Sequence, residues 1–131
     1  MQVEGKLAYV FPGQGSQSIG MGLELYNTFP AAREVFQEAD DSLGFKLSRV
    51  IFRGSDKRLK DTANSQPAIM TVSIAAWKAW EEQAGPGAKL PSMVAGHSLG
   101  EYTSMVVSGV TSFSDAVRLV RKRGQLMQQA A

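Results

Sequence analysis

The sequence predicts an α/β fold in which a mostly parallel sheet is flanked by helices. Three observations support this prediction. Short, largely apolar runs at 7–11 and 92–96 have the length and composition of buried strands. Segments with the apolar spacing of helices follow each run. The resulting order of strand, helices, strand and helices is typical of α/β proteins, although two strands are too few for a complete sheet.

The composition fits one globular domain and excludes several kinds of site. The chain has 131 residues, of which 44% are hydrophobic and 20% charged, with a net charge of +2. The absence of cysteine and the presence of one histidine exclude disulfides and multi-histidine metal sites. No apolar run reaches the roughly 18 residues of a membrane span, and no secretion signal is visible. We therefore expect a cytoplasmic protein without a metal, a membrane segment or a nucleic-acid partner.

The first half of the chain is predicted to contain a strand and one long helix. The strand at 7–11 is stopped by the proline and glycines that follow it. A helix is expected at 30–43, because Pro30 suits a first turn, apolar residues recur at helical spacing, and Gly44 can end the helix. Residues 45–64 are mixed and charged, and they indicate short helix and loop.

The second long helix is predicted at 66–83, with Pro67 near its start. It is apolar almost all round, which predicts burial on most sides. A loop at 85–87 leads to the strand at 92–96.

Two further helices are expected after the second strand. One should run from about residue 98 to 107 and be broken by Gly109. The other should begin near Ser112, which forms a plausible capping box with Asp115, and continue to the chain end. No C-cap signal follows it, so we expect the chain to be part of something longer.

The segment Gly96–Gly100, "GHSLG", has the G-x-S-x-G pattern of a nucleophile elbow. Such an elbow holds a serine, here Ser98, on a sharp turn between a strand and a helix, and the flanking glycines avoid collisions with both. The backbone N–H of Leu99 and the new helix N-terminus would favour an oxyanion there. The alternative is a glycine-rich turn with an inert serine.

His97 is the only histidine, yet its position argues against a role as the base. It occupies the x position of the elbow, where adjacent side chains point in different directions, whereas a base must lie within about 3 Å of the hydroxyl. We expect His97 to pack or hydrogen-bond beside the elbow. A histidine base for Ser98 would then lie outside these 131 residues.

The last helix contains an arginine on its apolar face. At 100° per residue, Arg123 falls between Leu119 and Met127, within an apolar arc that also includes Leu126. A buried guanidinium stays charged and needs an anion, so an ion pair, a ligand anion or snorkelling from the edge all remain open. Three other cations are expected to form the solvated face: Arg118, Arg121 and Lys122.

The stretch "VFPGQGSQ" at 10–17 is rich in small and amide side chains. It lacks the Gly-Lys-Ser/Thr ending of a phosphate loop, and a serine stands where a dinucleotide fingerprint needs its third glycine. A plain turn remains possible.

Four segments together resemble the malonyl-CoA:acyl carrier protein transacylases and the related acyltransferase domains of fatty-acid and polyketide synthases. They are "FPGQGSQ" (11–17), "SQPAIM" (65–70), "GHSLGEY" (96–102) and "RKRGQLMQ" (121–128), in matching order and spacing. The resemblance covers essentially the whole chain. It implies an α/β-hydrolase-like large subdomain, of which residues 1–131 would be the N-terminal portion.

The resemblance also implies a role for each matching residue. Ser98 would take the malonyl group from coenzyme A as an ester and pass it to the phosphopantetheine thiol of acyl carrier protein. The backbone N–H groups of Gln14 and Leu99 would form the oxyanion hole. Arg123 would bind the free carboxylate of malonyl, and the pocket would be lined by two further residues, Gln66 and His97. Coenzyme A thioester is then a substrate, and no permanently bound cofactor is expected.

The resemblance places other parts of the machinery beyond this chain. The catalytic histidine, the ferredoxin-like small subdomain and the motif that separates malonyl from methylmalonyl users all lie there. We therefore expect the isolated chain to be inactive. Three alternatives remain: a trans-acting or excised polyketide-synthase acyltransferase, a serine hydrolase of related fold, and a non-enzymatic half-domain that folds with a partner.

Overall fold

The computed structural model describes residues 5–131, which form two strands and seven helices. Within this part of the chain, every helix is too short or too polar to serve as a membrane span. The elements in order are β1 (Ala8–Phe11), α1 (Leu23–Thr28), α2 (Pro30–Leu43), α3 (Leu47–Arg53), α4 (Asp56–Lys60), α5 (Thr62–Ala84), β2 (Met93–Gly96), α6 (Gly100–Val107) and α7 (Phe113–Ala130).

The two strands pair in parallel, which confirms the predicted sheet. The register runs from Ala8 opposite Met93 to Phe11 opposite Gly96. Side chains alternate between the faces of a strand, so only one face meets the helices. Phe11 is buried on the helix side, whereas Val10 is 74% exposed and Met93 is 64% exposed on the other. The carboxyl ends of both strands meet at one edge, where the two glycine-rich segments begin.

The hydrophobic core lies among the helices. Helix α5 packs against both α2 and α7, and its first half is buried on nearly every side, as its apolar composition predicts. Close packing of large aliphatic and aromatic side chains joins these helices to α3 and α4. The largest fully buried apolar side chains are Phe36, Leu47, Ile51, Leu59, Met70, Ile74, Leu99, Val117 and Val120.

The observed boundaries of the long helices agree with the predicted ones except at the start of α5. Helix α2 spans the predicted 30–43 and ends at Gly44 in the left-handed conformation. Helix α5 begins at Thr62, four residues before the predicted start, so Pro67 lies inside the helix. Proline lacks an N–H, so it leaves the carbonyl of Ala63, four residues earlier, without its helical partner. Arg121 of α7 donates to that carbonyl at 2.9 Å, which replaces the missing bond.

Helix α1 was not predicted, and tertiary packing explains why it forms. Its six residues show no strong periodicity, and a helix this short is unstable alone. Tyr26 packs edge-on against Phe36 of α2 and Phe52 of α3, with ring centroids 5.7 and 5.5 Å apart. This aromatic cluster is therefore the stabilising element for α1.

Half of the predicted capping box at α7 is present. The Ser112 hydroxyl accepts a hydrogen bond from the Asp115 N–H at 3.1 Å. The Asp115 carboxylate instead pairs with Arg118 at 2.7 Å. The serine side chain therefore caps the helix. The aspartate carboxylate stabilises it because a negative charge in the first turn lies near the positive end of the helix dipole.

Candidate active site

Ser98 lies on a sharp turn between β2 and α6, as the elbow motif predicts. Strand β2 ends at Gly96 and helix α6 begins at Gly100. Ser98 has φ of 57°, and within residues 5–131 it is the only non-glycine residue with a positive φ. A left-handed conformation is unfavourable for residues with a Cβ, and such residues are concentrated at functional sites. The turn leaves Ser98 half-buried while Leu99 is fully buried beneath it.

The glycines of the elbow permit close backbone contacts on both sides. A Cβ on Gly96 would lie 1.9 Å from the carbonyl oxygen of Gly100. A Cβ on Gly100 would lie 2.4 Å from the carbonyl oxygen of Phe11 in β1. Any side chain would therefore force the strand and helix apart, which confirms the predicted collisions with both elements.

Replacing Gly96 with alanine should strongly destabilise the protein. Its Cβ would overlap backbone atoms that have no side-chain freedom to move away, so we expect a loss of about 3 kcal/mol or more in the free energy of unfolding. Denaturant unfolding of the variant measures this loss. Gly87→Ala is the matched control, because a Cβ there would meet nothing within 4 Å. Parental stability in the Gly96 variant would contradict the close contact.

The segment at 12–17 packs directly against the elbow. A Cβ on Gly13 would lie 2.6 Å from the His97 carbonyl oxygen, so the two loops touch through their backbones. The Gln14 side chain donates to the Thr62 hydroxyl at 3.2 Å and ties its loop to the start of α5. Within residues 5–131, neither the Gln14 nor the Leu99 backbone N–H has a hydrogen-bond partner. Both donors are therefore available in the two loops that touch at Gly13 and His97.

His97 is exposed and lies beside the elbow against Gly13, with its Nδ1 atom 3.0 Å from where a Cβ would stand on that glycine. No hydrogen bond joins it to Ser98 in the described part of the chain. This placement fits the expectation that His97 packs beside the elbow; that it is not the base of Ser98 stays a prediction.

Arg123 contacts two other predicted site residues, Gln66 and Ser98. Its guanidinium donates to the Gln66 Oε1 atom at 2.8 Å and to the Ser98 hydroxyl at 3.3 Å. The Gln66 side chain is fully buried, and its amide nitrogen lies 3.2 Å from the Met127 sulfur. Because Gln66 is held on both sides, it fixes the guanidinium beside the Ser98 hydroxyl.

Tyr102 and Thr62 belong to the site but were not identified from the sequence. The Arg123 guanidinium lies over the Tyr102 ring, 5.4 Å from its centroid, which is within the range of a cation–π interaction. Tyr102 lies in the first turn of α6 and within the segment "GHSLGEY", so the motif itself could have identified it. Thr62 gives no such signal, because its contact with Gln14 spans 48 residues.

The structure corrects the predicted faces of α7. Leu119 and Leu126 are about half exposed, at 51% and 52%, although the helical projection placed them in the apolar arc. The buried face is narrower, and Arg123 stands half-buried at its edge. Within residues 5–131 its guanidinium forms no ion pair. Of the interpretations given above, an ion pair with a carboxylate of the described residues is therefore excluded, and a ligand anion or snorkelling from the edge remains.

The prediction that Arg121 belongs to the solvated face is wrong. Its side chain is half-buried, donates to the Asn64 side-chain oxygen, and covers the Phe45 ring at 4.9 Å. Burial and the nearby charge of Arg58 lower the pKa of Arg121 below its usual range. The helical projection missed this position because the neighbouring surface comes from α5, where Pro67 leaves an unpaired carbonyl.

No metal centre is visible in this part of the molecule. Within residues 5–131, no group of three or more His, Cys, Asp or Glu side chains is arranged to hold a metal ion. The Arg123 guanidinium donates to the Ser98 hydroxyl, and the two neighbouring loops carry the backbone N–H groups of Gln14 and Leu99, which have no partner in the described residues. This donor set is suited to an anion.

Comparisons of the sequence with family models and with known proteins point to the same family. Residues 8–131 match the acyl transferase domain model. The chain is 51% identical over 125 residues to a malonyl CoA-acyl carrier protein transacylase of Bacillus subtilis, covering 95% of this chain and 38% of the relative. The corresponding Salmonella typhimurium protein is 47% identical, with coverages of 95% and 40%.

Solved structures agree with the sequence matches. The acyl-carrier-protein-S-malonyltransferase of Bartonella henselae superimposes with a TM-score of 0.91 at 49% identity, covering 96% of this chain and 40% of that one. A malonyl-transacylase in complex with a type II polyketide synthase acyl-carrier protein gives a TM-score of 0.90 at 46% identity, with coverages of 97% and 40%. The chain thus spans about 40% of the length of these relatives. It belongs to the acyl transferase domain family, and it corresponds to the N-terminal part of the transacylases that it matches.

Proposed function

We propose that this chain is the N-terminal part of a malonyl-CoA:acyl carrier protein transacylase in which Ser98 carries the malonyl group. The observation that supports this most strongly is the position of Arg123. Its guanidinium lies 3.3 Å from the Ser98 hydroxyl and has no carboxylate partner within residues 5–131. A malonyl ester on Ser98 would bring a carboxylate to this cation, and guanidinium–carboxylate pairs can be bidentate.

The proposed reaction has two steps through one covalent intermediate. The Ser98 oxygen attacks the thioester carbonyl of malonyl-CoA, the serine proton goes to a base, and the coenzyme A thiolate leaves and is protonated. The phosphopantetheine thiol of acyl carrier protein then attacks the serine ester, and Ser98 regains its proton. The N–H groups of Gln14 and Leu99 would bind the oxyanion in both steps. Coenzyme A thioester is a substrate here, and no permanent cofactor takes part.

Activity requires a base that the elbow does not supply. We infer that the base, the ferredoxin-like small subdomain and further strands belong to a C-terminal region, because the relatives are much longer than this chain. The uncovered sheet face at Val10 and Met93 and the exposed Leu126 of α7 support this inference, since apolar surface is normally buried. Below, the chain together with this region is called the complete enzyme. Residues 1–131 alone are expected to be inactive, and a cytoplasmic location remains a prediction.

Labelling of the complete enzyme tests the proposed function. Incubation with malonyl-CoA should increase the intact mass by one malonyl group, and peptide mapping should place that group on Ser98. Addition of holo acyl carrier protein should then discharge the enzyme and load the carrier. Release of free malonate without loading would instead indicate a serine hydrolase. Carriers of fatty-acid and polyketide synthesis, tested in parallel, distinguish the two pathways.

A further inference from the structure

Hydrogen bonds connect a methionine sulfur to the serine of the elbow. The Gln66 amide nitrogen lies 3.2 Å from the Met127 sulfur, and the Oε1 atom of the same amide accepts from Arg123 at 2.8 Å. The Arg123 guanidinium also donates to the Ser98 hydroxyl at 3.3 Å. A change at the Met127 sulfur therefore reaches the guanidinium through a single side chain, that of Gln66.

The Gln66 amide depends on these two partners. The side chain is fully buried, so water cannot replace a partner that is lost. Its oxygen is occupied by Arg123, and the Met127 sulfur is the only acceptor that its nitrogen has among residues 5–131. A thioether sulfur is a weak acceptor, so this contact depends on a close fit between the two groups.

Met127 is accessible, unlike a methionine of the core. It is 44% exposed, whereas Met70 of α5 is fully buried. Met127 follows Arg123 by four residues, so the two side chains lie on the same side of α7. The proposed function requires malonyl-CoA to reach Arg123 in the complete enzyme. A molecule as small as hydrogen peroxide can then reach Met127 by the same route.

The chain has six methionines and no cysteine, so reversible oxidation of its sulfur atoms can occur only at methionine. Hydrogen peroxide converts the thioether to a sulfoxide: the sulfur lone pair attacks one oxygen, the O–O bond breaks, and the other oxygen leaves as water with both protons. The sulfur is oxidised by two electrons, and the peroxide is reduced. Methionine sulfoxide reductase reverses the change, because the oxygen leaves as water while two thiols become a disulfide.

A sulfoxide oxygen does not fit the contact between Met127 and Gln66. The sulfur already lies 3.2 Å from the amide nitrogen, and an N–H···O hydrogen bond needs about 2.7–3.2 Å between nitrogen and oxygen. An oxygen placed between the two atoms would be far closer than this, so one of the side chains must move. An oxygen that points elsewhere takes a sulfur lone pair and leaves the sulfur electron-poor, which weakens it as an acceptor. Either arrangement disturbs the amide that holds Arg123.

From these contacts we propose that Met127 is a reversible oxidation site at which peroxide lowers the selectivity of the enzyme for a malonyl group. The displaced Gln66 amide would release the Arg123 guanidinium, which then meets the malonyl carboxylate less well. The oxidation leaves the Ser98 hydroxyl itself unchanged, so the loading of acetyl groups would fall much less. This inference rests on the proposed transacylase function, because that function makes Arg123 the group that binds the carboxylate.

Hydrogen peroxide treatment of the complete enzyme at graded doses tests the proposal. Peptide mapping should find one added oxygen atom on Met127. Competition between malonyl-CoA and acetyl-CoA, read from the acyl group found on Ser98, should then show a malonyl preference lowered by about tenfold, since a hydrogen bond to a charged group is lost. Treatment with methionine sulfoxide reductase and dithiothreitol should restore the preference.

Two substitutions show whether Met127 is the sensitive position. Met127→Leu keeps a similar volume but has no sulfur, so peroxide should change the preference of this variant by less than about twofold relative to its own untreated state. Met105→Leu is the matched control, because Met105 of α6 is 40% exposed and its side chain makes no hydrogen bond within the described residues. The control variant should be as sensitive to peroxide as the parent.

The outcomes separate this proposal from the proposed function. An oxidised Met127 with an unchanged preference would overturn the proposal, as would a Met127 that stays intact while Met105 is oxidised. A loss of the same size in Met127→Leu, or an equal fall in malonyl and acetyl loading, would overturn it too. Repair by the reductase uses the parent enzyme, so it gives the same test if Met127→Leu fails to fold. Failure of the untreated parent to label at Ser98 would instead contradict the transacylase function, whatever the state of Met127.

Discussion

Ser98→Ala in the complete enzyme should abolish covalent labelling by malonyl-CoA and reduce transfer to the carrier protein by a factor on the order of 10⁴ or more. The hydroxyl oxygen is the atom that would form the ester, and no water-mediated route replaces it in a two-step transfer. Intact-mass measurement after incubation with malonyl-CoA reports the label, and steady-state transfer reports the rate.

The Ser98 variant should fold as the parent does. Serine has a Cβ and is already strained by the positive φ at this position. Alanine also has a Cβ, so the backbone strain changes little. Ser104→Ala is the matched control, because Ser104 lies on α6 and its hydroxyl donates only to the Glu101 carbonyl at 2.6 Å. Persistent labelling of the Ser98 variant would show that another residue is the nucleophile.

Arg123→Ala should reduce malonyl loading selectively. Loss of a charge-assisted contact to the malonyl carboxylate is expected to lower kcat/KM for malonyl-CoA by about 10²–10³-fold. Acetyl-CoA has no such carboxylate, so its loading should fall much less, and the preference for malonyl over acetyl should relax. Competition between the two thioesters, read by mass, measures that preference.

Two further variants distinguish the loss of the Arg123 contact with the malonyl carboxylate from the loss of positive charge on α7. Arg118→Ala removes an exposed arginine of α7 that pairs with Asp115, and it should leave the preference unchanged. Arg123→Lys keeps the charge but loses the planar fork that reaches both Gln66 and Ser98, so it should recover only part of the malonyl loading. If Arg123→Ala lowered both thioesters equally, the proposed carboxylate contact would be wrong.

Local sequence signals were sufficient for much of the fold. Pro30 and Gly44 mark the ends of α2, Ser112 caps α7, and the glycines around Ser98 predict the turn between strand and helix. These signals work because each depends on the conformation of a few adjacent residues.

The sequence-based predictions were wrong or incomplete where residues distant in the chain determine the local structure. Helix α1 depends on the packing of Tyr26 against two other helices. Arg121 packs against α5 because Pro67 leaves the Ala63 carbonyl unpaired, and Arg121 and Ala63 are 58 positions apart. The width of the buried face of α7 depends on which neighbours it has, so periodicity alone overestimated it.

The sequence by itself determined the elbow at Ser98, the glycine-rich loop that accompanies it and the resemblance to a transacylase family, because these reside in short contiguous motifs. Only the tertiary structure decided that the Arg123 guanidinium reaches both Gln66 and the Ser98 hydroxyl, and that the Gln14 loop packs against the elbow. The physical reason is the same in each case: contacts between elements are set by packing around a shared core, which local spacing does not encode.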